Sequence, residues 1–213
     1  MHTNDMIICK KVQVVCMKNT EKIIEIMKKN NGTITTAQVI DAGISRSTLK
    51  LLFDRGLIEK AGRGVYILPE VWEDEIFNMQ QRYRKGIFSL ATSLFLHGLT
   101  DRTPNKYNMT FPLNYNTSNV DKEHIISNRV KLDLYELGRV KVKTPSGNEV
   151  YCYNPERTLC DILKTRSKTD IQLISEAFKN YVKSENRDIK LISEYSKIIG
   201  VEERLRNYLE VLL

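Results

Sequence analysis

The chain has little of what most catalytic and metal centres require. Its 213 residues include only three histidines, His2, His97 and His124, and four cysteines, Cys9, Cys16, Cys152 and Cys160. No two of these cysteines form a CxxC pair, so a zinc site is not expected. P-loop, GxSxG and HExxH motifs are all missing, which removes the commonest signals for nucleotide hydrolysis, acyl transfer and metalloproteolysis. No apolar run approaches the ~20 residues that span a bilayer, so no membrane partner is expected. Scattered thiols without a secretory design point to a reducing cytoplasm. Internal repeats and low-complexity tracts are also missing.

What is there is an ordinary globular composition, 41% hydrophobic and 28% charged, with a basic balance: net charge +7 and pI near 9.1. Such a charge favours a polyanionic partner. It is spread out. Residues 17–70 hold nine Lys/Arg against six Asp/Glu, and residues 71–213 hold 22 against 19, so each part carries +3. Any basic patch must therefore be assembled by folding.

The segment TTAQVIDAGISRSTLKLLFDRGLIEKAGRGVYIL, residues 35–68, carries the most information. Thr35 or Thr36 caps a helix with Ala37 and Ile40 on one face. Gly43 suits a tight turn because glycine reaches positive φ without a Cβ clash. Ile44 pins that turn and Ser45 caps a second helix. There Leu49, Leu52 and Phe53 recur at helical spacing and are expected in the core. Arg46, Ser47 and Lys50 fall on the opposite face, in the turns of a recognition helix that reach base edges. Arginine can bond guanine in a paired fashion, and Ser47, Thr48 or Lys50 can reach base or phosphate. Gly56 ends the helix. Leu57-Ile58 and Val65 to Leu68 then read as strands around Lys60-Ala61-Gly62-Arg63-Gly64, a basic tip suited to follow a phosphate backbone. This is the outline of a winged helix-turn-helix. Its expected DNA-binding residues are Thr35, Thr36, Ser45, Arg46, Ser47, Thr48, Lys50, Lys60 and Arg63. A bare helix-turn-helix also occurs in proteins that never touch DNA; the basic hairpin directly after it favours the nucleic-acid reading.

The expected fold class is α+β, with this N-terminal domain over residues 17–70 and a mixed α/β domain with a helical tail over 71–213. Residues 1–16 read as an extension: disordered, an alternative start, or an extra strand. Residues 71–85 read as a linking helix, with Ile76, Met79 and Tyr83 on one side of the stretch 73–84. GIFSLATSLFL, residues 86–96, suits a buried helix ending at His97-Gly98. Tyr107–Phe111, Leu132–Leu137, Val140–Lys143 and Val150–Tyr153 read as strands, with Pro145-Ser-Gly-Asn148 a turn. The polar stretch from Leu113 to Lys131 gives no assignment. Asn154-Pro155 starts a helix with Leu159, Ile162 and Leu163 inward. Ile171, Ile174, Phe178 and Tyr181 mark the next helix, Ile192, Tyr195 and Ile199 another, and Val201, Leu205, Tyr208, Leu209 and Leu212 the last.

Candidates for chemistry are few. His97 ends an apolar helix and reads as a cap or a core hydrogen-bond partner. Arg157 and Asp161 stand i,i+4 on one helix, as an ion pair that fixes it or as part of a partner-binding patch. Arg102 and Lys106 extend a DNA-binding face or belong to a solvated loop. No catalytic residue, metal or cofactor is expected.

SRSTLKLLFDRGLIEKAGRGVYIL, then SLATSLFLHGL, then NPERTLCDIL, in that order, resembles the AbiEi antitoxins of type IV toxin–antitoxin (abortive infection) systems. The resemblance runs from about Met17 to the C-terminus. It implies repression of the protein's own operon through inverted repeats in the promoter. It also implies a C-terminal domain that opposes a nucleotidyltransferase-like toxin without a stable complex. The expected behaviour is a monomer in solution that binds double-stranded DNA cooperatively. Two alternatives stand beside it: a one-component transcription factor with a ligand-binding second domain, and a nucleic-acid enzyme with a winged targeting module.

Overall fold

The computed structural model describes residues 18–120, 124–167 and 169–212. The expected extension 1–16 lies outside the described residues, as do Cys9, Cys16 and His2. Contacts divide the chain into two units: one runs to Arg82 and takes in Ser146–Asn148, and the other comprises Tyr83–Pro145 and Glu149–Leu213.

The first unit opens with helix α1 (residues 18–29), whose Ile23 and Met27 are fully buried. The backbone reverses through Asn31 and Gly32, with φ of 51° and 75°. A Cβ at Gly32 would lie 2.4 Å from Val71 Cγ2, so glycine is needed there for space as well as conformation. Strand β1 (Thr33–Thr35) follows, then α2 (Thr36–Asp41), α3 (Arg46–Asp54), β2 (Glu59–Gly62), β3 (Val65–Ile67) and α4 (Glu75–Arg82). The strands form a three-stranded antiparallel sheet in the order β1-β3-β2. Ile34, Val39, Ile44, Leu49, Leu52 and Ile58 close the core over α1. The arrangement is a winged helix-turn-helix with an added strand.

Details differ from expectation. β1 adds a third strand where the sequence predicts only a helix cap. The first wing strand is Glu59–Gly62 rather than Leu57-Ile58, because Ile58 is spent on the core. On α2 the buried residue is Val39, while Ile40 is 45% exposed. Phe53 of α3, expected inside, is 46% exposed. Gly56, at φ 67°, ends α3, and the Leu57 amide turns back to the Leu52 carbonyl, so no further turn of helix covers the ring. In α4 the buried side is Ile76, Phe77 and Gln80. Asp74 starts that helix, its carboxylate accepting from the Phe77 amide at 3.0 Å and from Asn148 Nδ2 at 2.8 Å.

The second unit is a five-stranded mixed sheet backed by helices. Its strands are β4 (Ile87–Phe88), β5 (Tyr107–Pro112), β6 (Ile125–Val130), β7 (Arg139–Lys143) and β8 (Glu149–Tyr153), in the order β6-β5-β4-β8-β7. β4–β5 and β7–β8 are antiparallel; β4–β8 and β5–β6 are parallel. The helices are α5 (Leu90–Leu96), α6 (Leu132–Glu136), α7 (Pro155–Ile162), α8 (Ile171–Lys183), α9 (Ile189–Ile199) and α10 (Glu202–Leu212). Leu94, Leu159, Ile162, Phe178, Tyr181, Ile192 and Leu205 make their shared core.

Four points differ from expectation in this unit. GIFSLATSLFL is a strand and a helix: Ile87-Phe88 pair in the sheet, and α5 starts only at Leu90, whose φ is +47°. Leu132–Leu137 is a short helix that buries Tyr135, although its apolar-polar alternation imitates a strand. The unassigned polar stretch contains β6, an edge strand. Ile171, expected on the inner face of α8, is 70% exposed, while Phe178 and Tyr181 are buried as expected.

Candidate nucleic-acid interface

The geometry of the first unit follows from its caps. Thr35 is the N-cap of α2: its Oγ1 accepts from the Gln38 amide at 3.2 Å and Gln38 Oε1 accepts from the Thr35 amide at 2.8 Å, a reciprocal capping box. Thr35 is 5% exposed, so its side chain is committed to the helix. Thr36 is committed to the wing. Its amide donates to the Gly64 carbonyl at 2.8 Å and its hydroxyl donates to the same oxygen at 3.3 Å. The start of α2 and the tip of the hairpin are thus one hydrogen-bonded unit. Gly64, at φ 73°, makes the turn possible, and a Cβ there would come within 3.2 Å of Thr36 Oγ1.

The turn between the helices rests on Gly43, at φ 73°, and on the Ile44 amide, which bonds the Val39 carbonyl at 3.0 Å. Ile44 is buried, as expected. Ser45 caps α3, accepting from the Ser47 amide at 3.3 Å, and the two serine hydroxyls lie 2.8 Å apart. A base or phosphate contact by either serine would exchange this weak local bond for a new one.

The outer face of α3 presents Ser45, Arg46, Ser47 and Lys50, all exposed. Thr48 departs from the expected set: at 7% exposure it faces the core beside Leu49 and Leu52, so its side chain is turned away from any ligand on the outer face. Arg63, at the hairpin turn, and Lys60, within β2 opposite Tyr66, are both exposed. The ladder slips between Lys60 and Gly62, a bulge that twists the wing locally. Asn78 of α4, unnoticed in the sequence, supports that strand by donating to the Ala61 carbonyl at 3.3 Å. Its signal was only an amide in a helix already read as amphipathic.

The remaining candidates belong to the second unit. Arg102 is half-exposed and paired with Asp170 at 3.4 Å and Glu176 at 3.1 Å, so its charge is already balanced locally. Lys106 is exposed. Arg157 is fully buried and is therefore not presented to DNA or to a partner. Its Nε donates to Asp161 Oδ2 at 2.8 Å, its Nη1 to the carbonyls of Leu134 at 2.6 Å and Leu137 at 3.2 Å, and its guanidinium lies 4.6 Å from the Tyr153 ring centroid. Lys164 donates to the other Asp161 oxygen at 2.6 Å. This is the fixing role read as one option from the sequence.

A cysteine–histidine pair also exists in this unit. Cys152 Sγ lies 3.8 Å from His97 Nε2, but that nitrogen also lies 2.8 Å from the Tyr153 carbonyl, which only an N–H can satisfy. His97 is thus the core hydrogen-bond partner expected, and burial lowers its pKa. Burial pushes the Cys152 thiol up to about 12. The thiol donates to Ser93 Oγ at 3.0 Å, and Ser93 in turn donates to the Tyr153 carbonyl at 2.8 Å. A nitrogen turned to a carbonyl cannot take a proton from the thiol, so the cluster ties α5 to β8. Among the described residues no group of three or more His, Cys, Asp or Glu could hold a metal ion, and no helix is long and apolar enough to cross a membrane.

The fold, with its exposed basic face on α3 and the hairpin, is that of a winged helix-turn-helix. Residues 21–69 match the model of the AbiEi_4 family, described as transcriptional regulator, AbiEi antitoxin. A solved structure, the crystal structure of the RV2827C protein from Mycobacterium tuberculosis, is similar at 12% identity and a TM-score of 0.45, over 91% of this chain and 81% of that one. Comparison with curated proteins gives no match.

Proposed function

We propose that the protein is the antitoxin of a type IV toxin–antitoxin system and represses its own operon by binding inverted repeats in the promoter. The carrying observation is the exposed face of α3, Ser45-Arg46-Ser47 with Lys50, held rigidly to a wing bearing Lys60 and Arg63. In this reading α3 enters the major groove. Arg46 reads a base edge, and Lys50, Lys60 and Arg63 neutralise phosphates. Ser45 and Ser47 supply short polar contacts. Lys106 is a candidate for a further phosphate contact.

One recognition helix and one wing cover a half-site. Two monomers on an inverted repeat therefore bind cooperatively, through proximity and any contact between them. Residues from 83 onward act as the antitoxin domain and oppose a nucleotidyltransferase-like toxin without a stable complex. Titration of a full repeat against a single half-site tests the cooperative part: equal affinity for both would contradict it. Co-expression of the second unit with a nucleotidyltransferase-like protein encoded beside its gene tests the other part. A folded second unit that gives cells no protection would refute it.

A further inference from the structure

The second unit contains a cavity of about 330 Å³ between the edge of the sheet and the C-terminal end of α7. Strand β6 contributes Asn128, Arg129 and Val130, β5 contributes Thr110, α5 contributes Leu90, and the end of α7 and the turn beyond it contribute Asp161, Lys164 and Ser167. The volume lies in the range of small-molecule sites and is about ten times the share of one liquid water.

Three features of the wall point to an anion. First, Asn128 Nδ2 is buried and has no acceptor among the described residues. A buried amide donor without a partner is penalised, and a ligand oxygen would relieve it. Second, among the described residues of the wall the cations outnumber the available anions. Both oxygens of Asp161, the carboxylate in the wall, are already held, by Arg157 Nε and Lys164 Nζ. The two remaining N–H groups of Lys164 are left to face a ligand. Third, Leu90 lines the cavity in the left-handed region, at φ +47°. A branched residue in that conformation is strained, and such strain gathers at ligand sites.

We propose that this cavity binds a small organic phosphate, its oxyanion between Asn128 and Lys164 and its body against Leu90 and Val130. Three N–H groups from two elements suit the several acceptor oxygens of a phosphate better than the planar pair of a carboxylate. A bare phosphate would leave much of the space and both apolar side chains unused.

The test is calorimetric titration of the full chain at fixed ionic strength with ribose 5-phosphate, inorganic phosphate, ribose and succinate. Ribose 5-phosphate is expected to saturate with a Kd below about 1 mM, with inorganic phosphate at least about tenfold weaker and ribose silent. Asn128→Asp, which puts a negative charge in place of the donor, should weaken binding about tenfold or more. Lys164→Gln, at a partly exposed position beyond the end of α7, should weaken it several-fold and decides the matter if the first variant does not fold. Lys197→Gln, on the exposed side of α9, should change nothing. No saturation by ribose 5-phosphate would overturn the proposal. So would succinate or inorganic phosphate binding as tightly, or an equal loss in Lys197→Gln, the last marking diffuse surface charge. DNA affinity is not a readout, so the result is independent of the repressor reading.

Discussion

Two capped helices, α3 and α7, begin alike and end up opposite. Each follows a polar N-cap, Ser45 or Asn154, and each carries an arginine in its first turn, Arg46 or Arg157. α3 buries only Thr48, Leu49 and Leu52, and its arginine faces out. α7 is buried at every position from Glu156 to Ile162, so its charged residues must find partners inside. A cation near a helix start is therefore a ligand-binding signal only when one face of the helix stays open. In a helix buried all round, the same cation is a structural fastener.

That contrast can be broken by substitution. The largest effect is expected for Arg157→Met, which leaves two carbonyls and one Asp161 oxygen unpaired. It should cost about 3–5 kcal/mol of stability, read as a lower denaturant midpoint for the second unit. Arg46→Ala should leave stability within about 0.5 kcal/mol and instead remove about 1–3 kcal/mol of discrimination between operator and scrambled DNA. If the two variants exchanged these phenotypes, the contrast would collapse. Smaller still, Lys60→Ala or Arg63→Ala should each lower the magnitude of the log–log salt slope by about 0.9 without changing sequence preference. An unchanged slope would take the wing off the phosphates.

The smallest effect is a pH dependence. Burial holds the His97 pKa below its ordinary value, so the folded state keeps the ring neutral. A depressed folded value means that this contribution is fully present above the unfolded pKa of about 6.5 and is lost as pH falls from there through the folded value. Urea midpoints should therefore decline more steeply below about pH 6.5 in the native chain than in His97→Gln, which keeps a donor for the Tyr153 carbonyl. Parallel declines would mean that other groups govern acid sensitivity.

The same contrast explains what could be read from residues alone. Gly43, Ser45 and Gly56 are local signals with local causes, so the helix-turn-helix and its exposed basic face were legible. Thr48 was not assigned to the core because a small polar residue gives no hint of burial. Phe53 has the period of a core residue, but among the described residues no element packs over the end of α3. In the second unit, β6 was invisible because an edge strand reading IISNRV carries too little apolar alternation. LDLYEL imitated a strand over a length too short for helical periodicity to show. GIFSLATSLFL hid a strand because buried strands and buried helices look alike in composition. The cavity could not be read at all, since β5, β6, α5 and α7 bring its residues together from far apart in the chain.

The central claim is that the open face of α3 reads DNA. The direct test is a salt-resolved titration of the full chain against DNA from immediately upstream of its own gene, with scrambled DNA and Arg46→Ala as controls. The account predicts cooperative, sequence-selective binding whose selectivity Arg46→Ala reduces. Equal affinity for upstream and scrambled DNA across the salt series would contradict it.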